Sequence, residues 1–93
     1  MAIVYHHQHQ EDIDKLDKFN KNFQWFRDHY YELHIRYKGE YVVINDSEII
    51  DHDVDYERLI TNRLKPRFAL GTIREFFIGK IYEDELLWLI LKK

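Results

Sequence analysis

The stretch Tyr37-Lys38-Gly39-Glu40-Tyr41-Val42-Val43-Ile44-Asn45-Asp46-Ser47-Glu48-Ile49-Ile50-Asp51-His52-Asp53 decides the fold, because it changes pattern three times within seventeen residues. Gly39 closes whatever helix precedes it, since a glycine takes the left-handed conformation that ends helices at little cost. Glu40 to Ile44 is β-prone, Asn45-Asp46-Ser47 is turn chemistry, and Glu48 to Asp51 is β-prone again. A β-hairpin is expected here.

Upstream, no Gly or Pro interrupts Glu11 to Lys38, and Leu16, Phe19, Phe23, Phe26, Tyr30, Leu33 and Tyr37 recur at steps of three and four. That spacing places one apolar stripe on one side of a helix. Asp12, Asp14 and Asp17 suit the positive N-terminal end of the helix dipole, and Arg36 and Lys38 the negative end. Asn20 and Asn22 have low helix propensity, so the regular helix begins anywhere from Glu11 to Asn22. Phe and Tyr crowd a narrow seam, which favours packing across a sheet over a coiled coil.

Downstream, Asp53 has the character of an N-cap, with Asp55 and Glu57 in the first turn. Val54, Leu59, Ile60 and Leu64 supply apolar contacts until Lys65-Pro66 closes a short helix. Thr72-Ile73-Arg74-Glu75 has the form of a capping box, yet Phe76 to Tyr82 is β-prone and contains Gly79, which would cost a helix about 1 kcal/mol. Strands are therefore preferred, with Glu83-Asp84-Glu85 turning into a second run, Leu86 to Leu91. The expected fold class is α+β: a long N-terminal helix, a β-hairpin, a short helix and a C-terminal β-hairpin, with the helices on one face of a small antiparallel sheet. Residues 1–10 read as a flexible His-rich segment and 11–93 as one domain.

The run from Trp25-Phe26 through Tyr30-Tyr31-Glu32-Leu33, Tyr37-Lys38-Gly39-Glu40-Tyr41-Val42-Val43-Ile44, Ile49-Ile50-Asp51-His52 and Asp55-Tyr56-Glu57-Arg58-Leu59 resembles a mostly archaeal family of short domains of unknown function. The resemblance covers about half the chain. It implies a helix ending in a Tyr-x-Gly element, a strand, a tight turn, a strand and a helix, and it carries over no catalytic residue.

Composition narrows the function classes. A hydrophobic share of 45% and an aromatic share of 16% provide a core. The absence of Cys removes disulfides, thiolate zinc sites and cysteine nucleophiles. Together with the lack of a signal-like N-terminus or a long apolar run, this makes a cytoplasmic protein without a membrane partner the expectation. Richness in Ile, Tyr, Lys and Glu is compatible with a thermophile. With a net charge of −3, no global positive field draws the chain to nucleic acid.

Candidate chemistry is sparse. His6, His7 and His9 could wrap a metal, but their spacing fits no closed zinc site, and they read as solvated. His29 and His34 are five apart, which misses a shared helical face, and they read as exposed. Asp51-His52-Asp53 flanks an imidazole with carboxylates but offers no nucleophile, so a hairpin end and cap are the better reading. Phosphate loops, nucleophile elbows and zinc-protease helices are missing, and no catalytic residue or cofactor is expected.

Two surfaces remain. Trp25, Tyr31, Phe76, Tyr82 and Trp88 are aromatics beyond the needs of a small core, which points to a protein interface and a homodimer. Arg58, Arg63, Lys65, Arg67, Arg74 and Lys80 form a locally basic segment suited to phosphate, the mark of an RNA- or ribosome-associated factor such as a translation or hibernation factor. The main expectation is a non-enzymatic interaction module acting as a homodimer. The ribosome-linked reading and an antitoxin-like partner of another small protein are the alternatives.

Overall fold

The sheet is built around its middle strand. In the computed structural model, which describes residues 6–83 with side chains from Asp14 onward, β1 (Tyr41–Asn45) lies between β2 (Glu48–Asp53) and β3 (Phe77–Lys80), antiparallel to both. The β1–β2 connection is the two-residue turn Asp46-Ser47. Both residues have positive φ, 50° and 64°, as a hairpin turn matched to strand twist requires.

The register slips between Val43 and Ile44: Val43 pairs with Asp51 and Ile44 with Ile49, leaving Ile50 as an extra residue. This β-bulge breaks the two-residue alternation of side chains. Ile49 packs with the core on one face, while Ile50 packs with the core on the other. The two aspartates, paired with Val43 and Tyr41, share the face of Ile50.

Two helices cover the first face. Helix α1 (His6–Asp28) runs almost directly into α2 (Tyr30–Tyr37), so the helix begins earlier than its sequence periodicity indicates and takes in His6 to Gln10. The break falls at His29. Its ring Nδ1 donates to the Trp25 carbonyl at 2.8 Å, the same carbonyl its backbone N–H uses. Phe26, Tyr30 and Leu33 from the apolar stripe are buried with Val42, Ile44 and Ile81, while Leu16 and Phe23 at the other end of the stripe are exposed. Gly39, at φ +84°, ends the helical run and donates its N–H to the Ile81 carbonyl.

The opposite face is covered by α3 (Tyr56–Arg58), which continues into a π-helical segment (Leu59–Leu64), and by α4 (Leu70–Ile73). Leu59, Leu64 and Phe76 are buried there with Val43. The α+β class and, as far as Lys80, the order helix, hairpin, helix and strand match the sequence reading, but helices lie on both faces of the sheet. The reason is that Val42, Val43 and Ile44 are all fully buried, so β1 has no face to leave in water.

Three local expectations change. The N-cap of α3 is Asp55, whose carboxylate accepts from the Arg58 N–H at 3.0 Å, because Asp53 still belongs to β2. Thr72 lies inside α4, so no capping box forms, and the strand reading prevails at Phe77–Lys80. Asn22 is buried and helical. Its amide donates to the Glu75 carbonyl at 2.8 Å and to the Asn45 side chain at 3.3 Å, and its oxygen accepts from the Asp46 N–H at 3.1 Å. This one side chain ties α1 to the hairpin turn and to the approach to β3. The expected last strand, Leu86 to Leu91, lies outside the described residues.

Two substitutions test this packing. A Cβ at Gly79 would lie 2.6 Å from the Phe77 ring and 2.9 Å from the Phe26 ring. Gly79→Ala should therefore cost about 1–3 kcal/mol in urea unfolding. Asn22→Ala, which strands the Asp46 N–H and the Glu75 carbonyl, should cost a similar ~1–3 kcal/mol with the m-value unchanged.

Candidate functional site

The inward positions of a strand normally carry apolar side chains, yet β2 places Asp51 and Asp53 on the face covered by α3 and the π-helical segment. Their side chains are only 4% and 6% exposed. Burying carboxylates demands compensation. Arg58 supplies it to Asp53 with two bonds, Nε to Oδ2 at 2.9 Å and Nη2 to Oδ1 at 2.7 Å. Arg63 does the same for Asp51, Nε to Oδ2 at 3.0 Å and Nη2 to Oδ1 at 2.7 Å. Arg63 Nη1 also lies 3.9 Å from Asp53, and Arg67 Nη1 lies 3.6 Å from Asp51. The order across the face is Arg58, Asp53, Arg63, Asp51, Arg67, cations and anions alternating.

The helix geometry makes this ladder. In an α-helix, residues five apart sit about 140° away from each other around the axis. The π-helical turn, in which Lys65 N–H donates to the Ile60 carbonyl at 2.9 Å, widens the helix. It brings Arg58 and Arg63 over the strand on one side. It also sends Leu59 and Leu64, again five apart, into the core. The doubled five-residue spacing was the available signal, and it is invisible to a search for helical periodicity at 3.6.

The Arg58 guanidinium, and next the Asp55 N–H, hold the Asp53 carboxyl well below the usual carboxylate range, and the same pair raises Arg58. Elsewhere, burial pushes the Tyr30 hydroxyl up, partly opposed by the Tyr82 N–H that donates to it. His52, flanked by the two aspartates in sequence, projects from the opposite face. Its Nδ1 donates to Glu40 at 2.7 Å and its ring packs on Tyr37, so the Asp-His-Asp triplet forms no joint site.

The basic residues divide. Arg58, Arg63, Arg67 and Lys80 share the ladder face, with Lys80 Nζ 5.1 Å above the Tyr41 ring, whereas Lys65 and Arg74 are exposed and outside the ladder. The aromatic set divides as well. Phe76 is a core residue at 3% exposure, edge-on to Phe68, and does not form an outer surface. Trp25 is half-buried and stacks on His29 at 4.1 Å, while Tyr31 and Tyr82 are exposed. Trp88 lies outside the described residues.

His29 is half-buried and His34 buried, with His34 Nε2 lacking a hydrogen-bond partner, so neither is the exposed histidine expected. His29, at the break between the helices, is covered by the Trp25 ring, and His34 lies beside Tyr30 on the buried side of α2. Among the described residues no group of three or more His, Asp or Glu side chains is placed to hold a metal, and the side chains of His6, His7 and His9 are not among those described. No helix among the described residues is long and apolar enough to cross a membrane.

A depressed carboxyl pKa in the folded state sets the sign of a pH effect. The Asp53 contribution is complete above the unfolded carboxylate value near 4 and is lost as pH falls toward the lower folded value. The urea midpoint should drop between about pH 5 and pH 2, and less steeply in Asp53→Asn, whose amide does not titrate. Equal slopes in the two proteins would remove this pair from the acid transition. No family model, curated protein or solved structure matches the chain.

Proposed function

We propose that the chain is a non-enzymatic interaction module that acts as a homodimer. The observation that carries this reading is on α2. Tyr31 and Ile35, one turn apart, are 59% and 65% exposed, and Tyr82, held beside the helix by its N–H to the Tyr30 hydroxyl, is 41% exposed. The cores on the two faces of the sheet are packed without them. Isolated surface leucines and isoleucines are ordinary, but an exposed branched aliphatic and an exposed tyrosine one turn apart on the same helix are residue types that suit an interface centre. An apolar patch is complementary to its own copy about a two-fold axis, with no need of opposite charges.

The enzyme alternative gains no comparable support. The strongest electrostatic feature, the Asp53–Arg58 pair, is accounted for by mutual neutralisation beneath a helix. Sedimentation velocity at micromolar concentration should show a dimer, and Ile35→Glu should convert it to a folded monomer with unchanged far-UV circular dichroism. A wild-type monomer across the same range would reject the reading.

A further inference from the structure

The ladder on β2 is a poor device for stability alone. Apolar residues of similar volume commonly stabilise a fold as well as a buried ion pair does, or better. What the two aspartates do achieve is orientation. Each holds a guanidinium at two points, yet Arg58, Arg63 and Arg67 remain 52%, 48% and 56% exposed. Nε and Nη2 of Arg58 and of Arg63 face carboxylate oxygens and Arg63 Nη1 lies 3.9 Å from Asp53, so the exposed part of each guanidinium belongs to a side chain that has already lost its rotamer freedom.

Arg67 is the least committed of the three. Its closest carboxylate oxygen is at 3.6 Å, and its guanidinium rests 5.0 Å from the Phe68 ring centroid. Three arginines against two aspartates leave one unit of positive charge on the ladder. At the Arg58 end, Tyr56 is half exposed, with its ring centroid 5.2 Å from that of Tyr41, and Lys80 lies over Tyr41. Planar, fixed, partly exposed guanidinium groups are the preferred donors to phosphate oxygens, and preorganisation removes much of the entropic cost of binding. An exposed aromatic ring beside such donors is a platform for a base.

We propose that this ladder is a phosphoryl-binding site, in which the exposed parts of the Arg58, Arg63 and Arg67 guanidinium groups take successive phosphodiester oxygens of a single nucleic-acid strand and Tyr56 takes a base. Asp55 and Glu57 lie in the same helical turn, so long-range attraction is weak and short-range donor geometry carries the binding. A shallow salt dependence follows: for three phosphates on a single strand, log K should fall against log salt with a slope of about −2.

The test uses the full chain and a fluorescein-labelled oligouridylate, read by anisotropy across roughly 50 to 200 mM salt, with inorganic phosphate as a second ligand read by thermal shift. Arg67→Ala should weaken oligonucleotide binding about tenfold, the scale of a charge-assisted hydrogen bond, and flatten the salt slope, with thermal unfolding unchanged. Tyr56→Ala should weaken it about tenfold through lost stacking. Arg74→Ala, outside the ladder, should bind as the wild type does.

If inorganic phosphate stabilises the wild type but not Arg67→Ala, and the oligonucleotide fails to bind, the phosphoryl site stands and its ligand is a small phosphate. Absence of binding by both ligands at low salt overturns the proposal. So does an Arg67→Ala protein that binds as tightly as the wild type.

Discussion

Burial of β1 on both faces is the constraint on which the rest of this structure depends. Val42, Val43 and Ile44 are consecutive and fully inaccessible, and consecutive strand residues point to opposite sides. A hairpin alone cannot cover such a strand. It needs neighbours on both edges, which β2 and β3 provide, and cover on both faces, which the two helical layers provide. The hydrophobic gain from burying these side chains, about 1.5–3 kcal/mol each, is available only when all four neighbours are in place. That makes the sheet and its two layers a cooperative unit.

The bulge at Ile50 decides which of these two faces receives the aspartates of β2. A regular β2 would set Ile49, Asp51 and Asp53 on one side and Ile50 with His52 on the other. With the inserted residue Ile49 and Ile50 still serve opposite cores, but Asp51 and Asp53 move to the face of Ile50, under the π-helical segment. The carboxylates must then be neutralised, and the widened helix delivers arginines at five-residue steps to do it. A backbone irregularity in the strand is thus matched by one in the helix above it. Between them they turn a stretch of sequence that reads as an amphipathic helix into an ordered array of charges.

Close approach of α1 to the sheet depends on two small features. Gly79 leaves room for Phe26 and Phe77, which meet with ring centroids 4.8 Å apart. Asn22 satisfies polar groups of two separate connections at the point where the helix crosses them. From the sequence both look like weak points, a glycine in a strand and an asparagine in a helix. Each is a weak former of its own element and a good fit to its neighbours, which is the usual sign of tertiary contact overriding local propensity.

The sequence by itself determined the local elements as far as Pro66: the helix that ends at Gly39, the hairpin around Asp46-Ser47 and the short helix before Pro66; at Phe77 it favoured a strand over a helix without deciding between them. These are set by backbone conformation and side-chain periodicity within a few residues, which is information a single segment holds. It also singled out the arginines of the basic segment, though not what holds them. Only the tertiary structure decided that helices lie on both faces, that Phe76 is interior, that Asp53 is a buried anion and not a cap, and that Arg58, Arg63 and Arg67 form one ladder. The last two outcomes turn on the bulge, which shifts the residues of β2 beyond it to a new face, and on the π-helical turn, which sets residues five apart on one side. A one-residue shift in register has no signature in composition or in ideal periods of 2 and 3.6. It is selected by which arrangement buries the most apolar surface while pairing every buried charge.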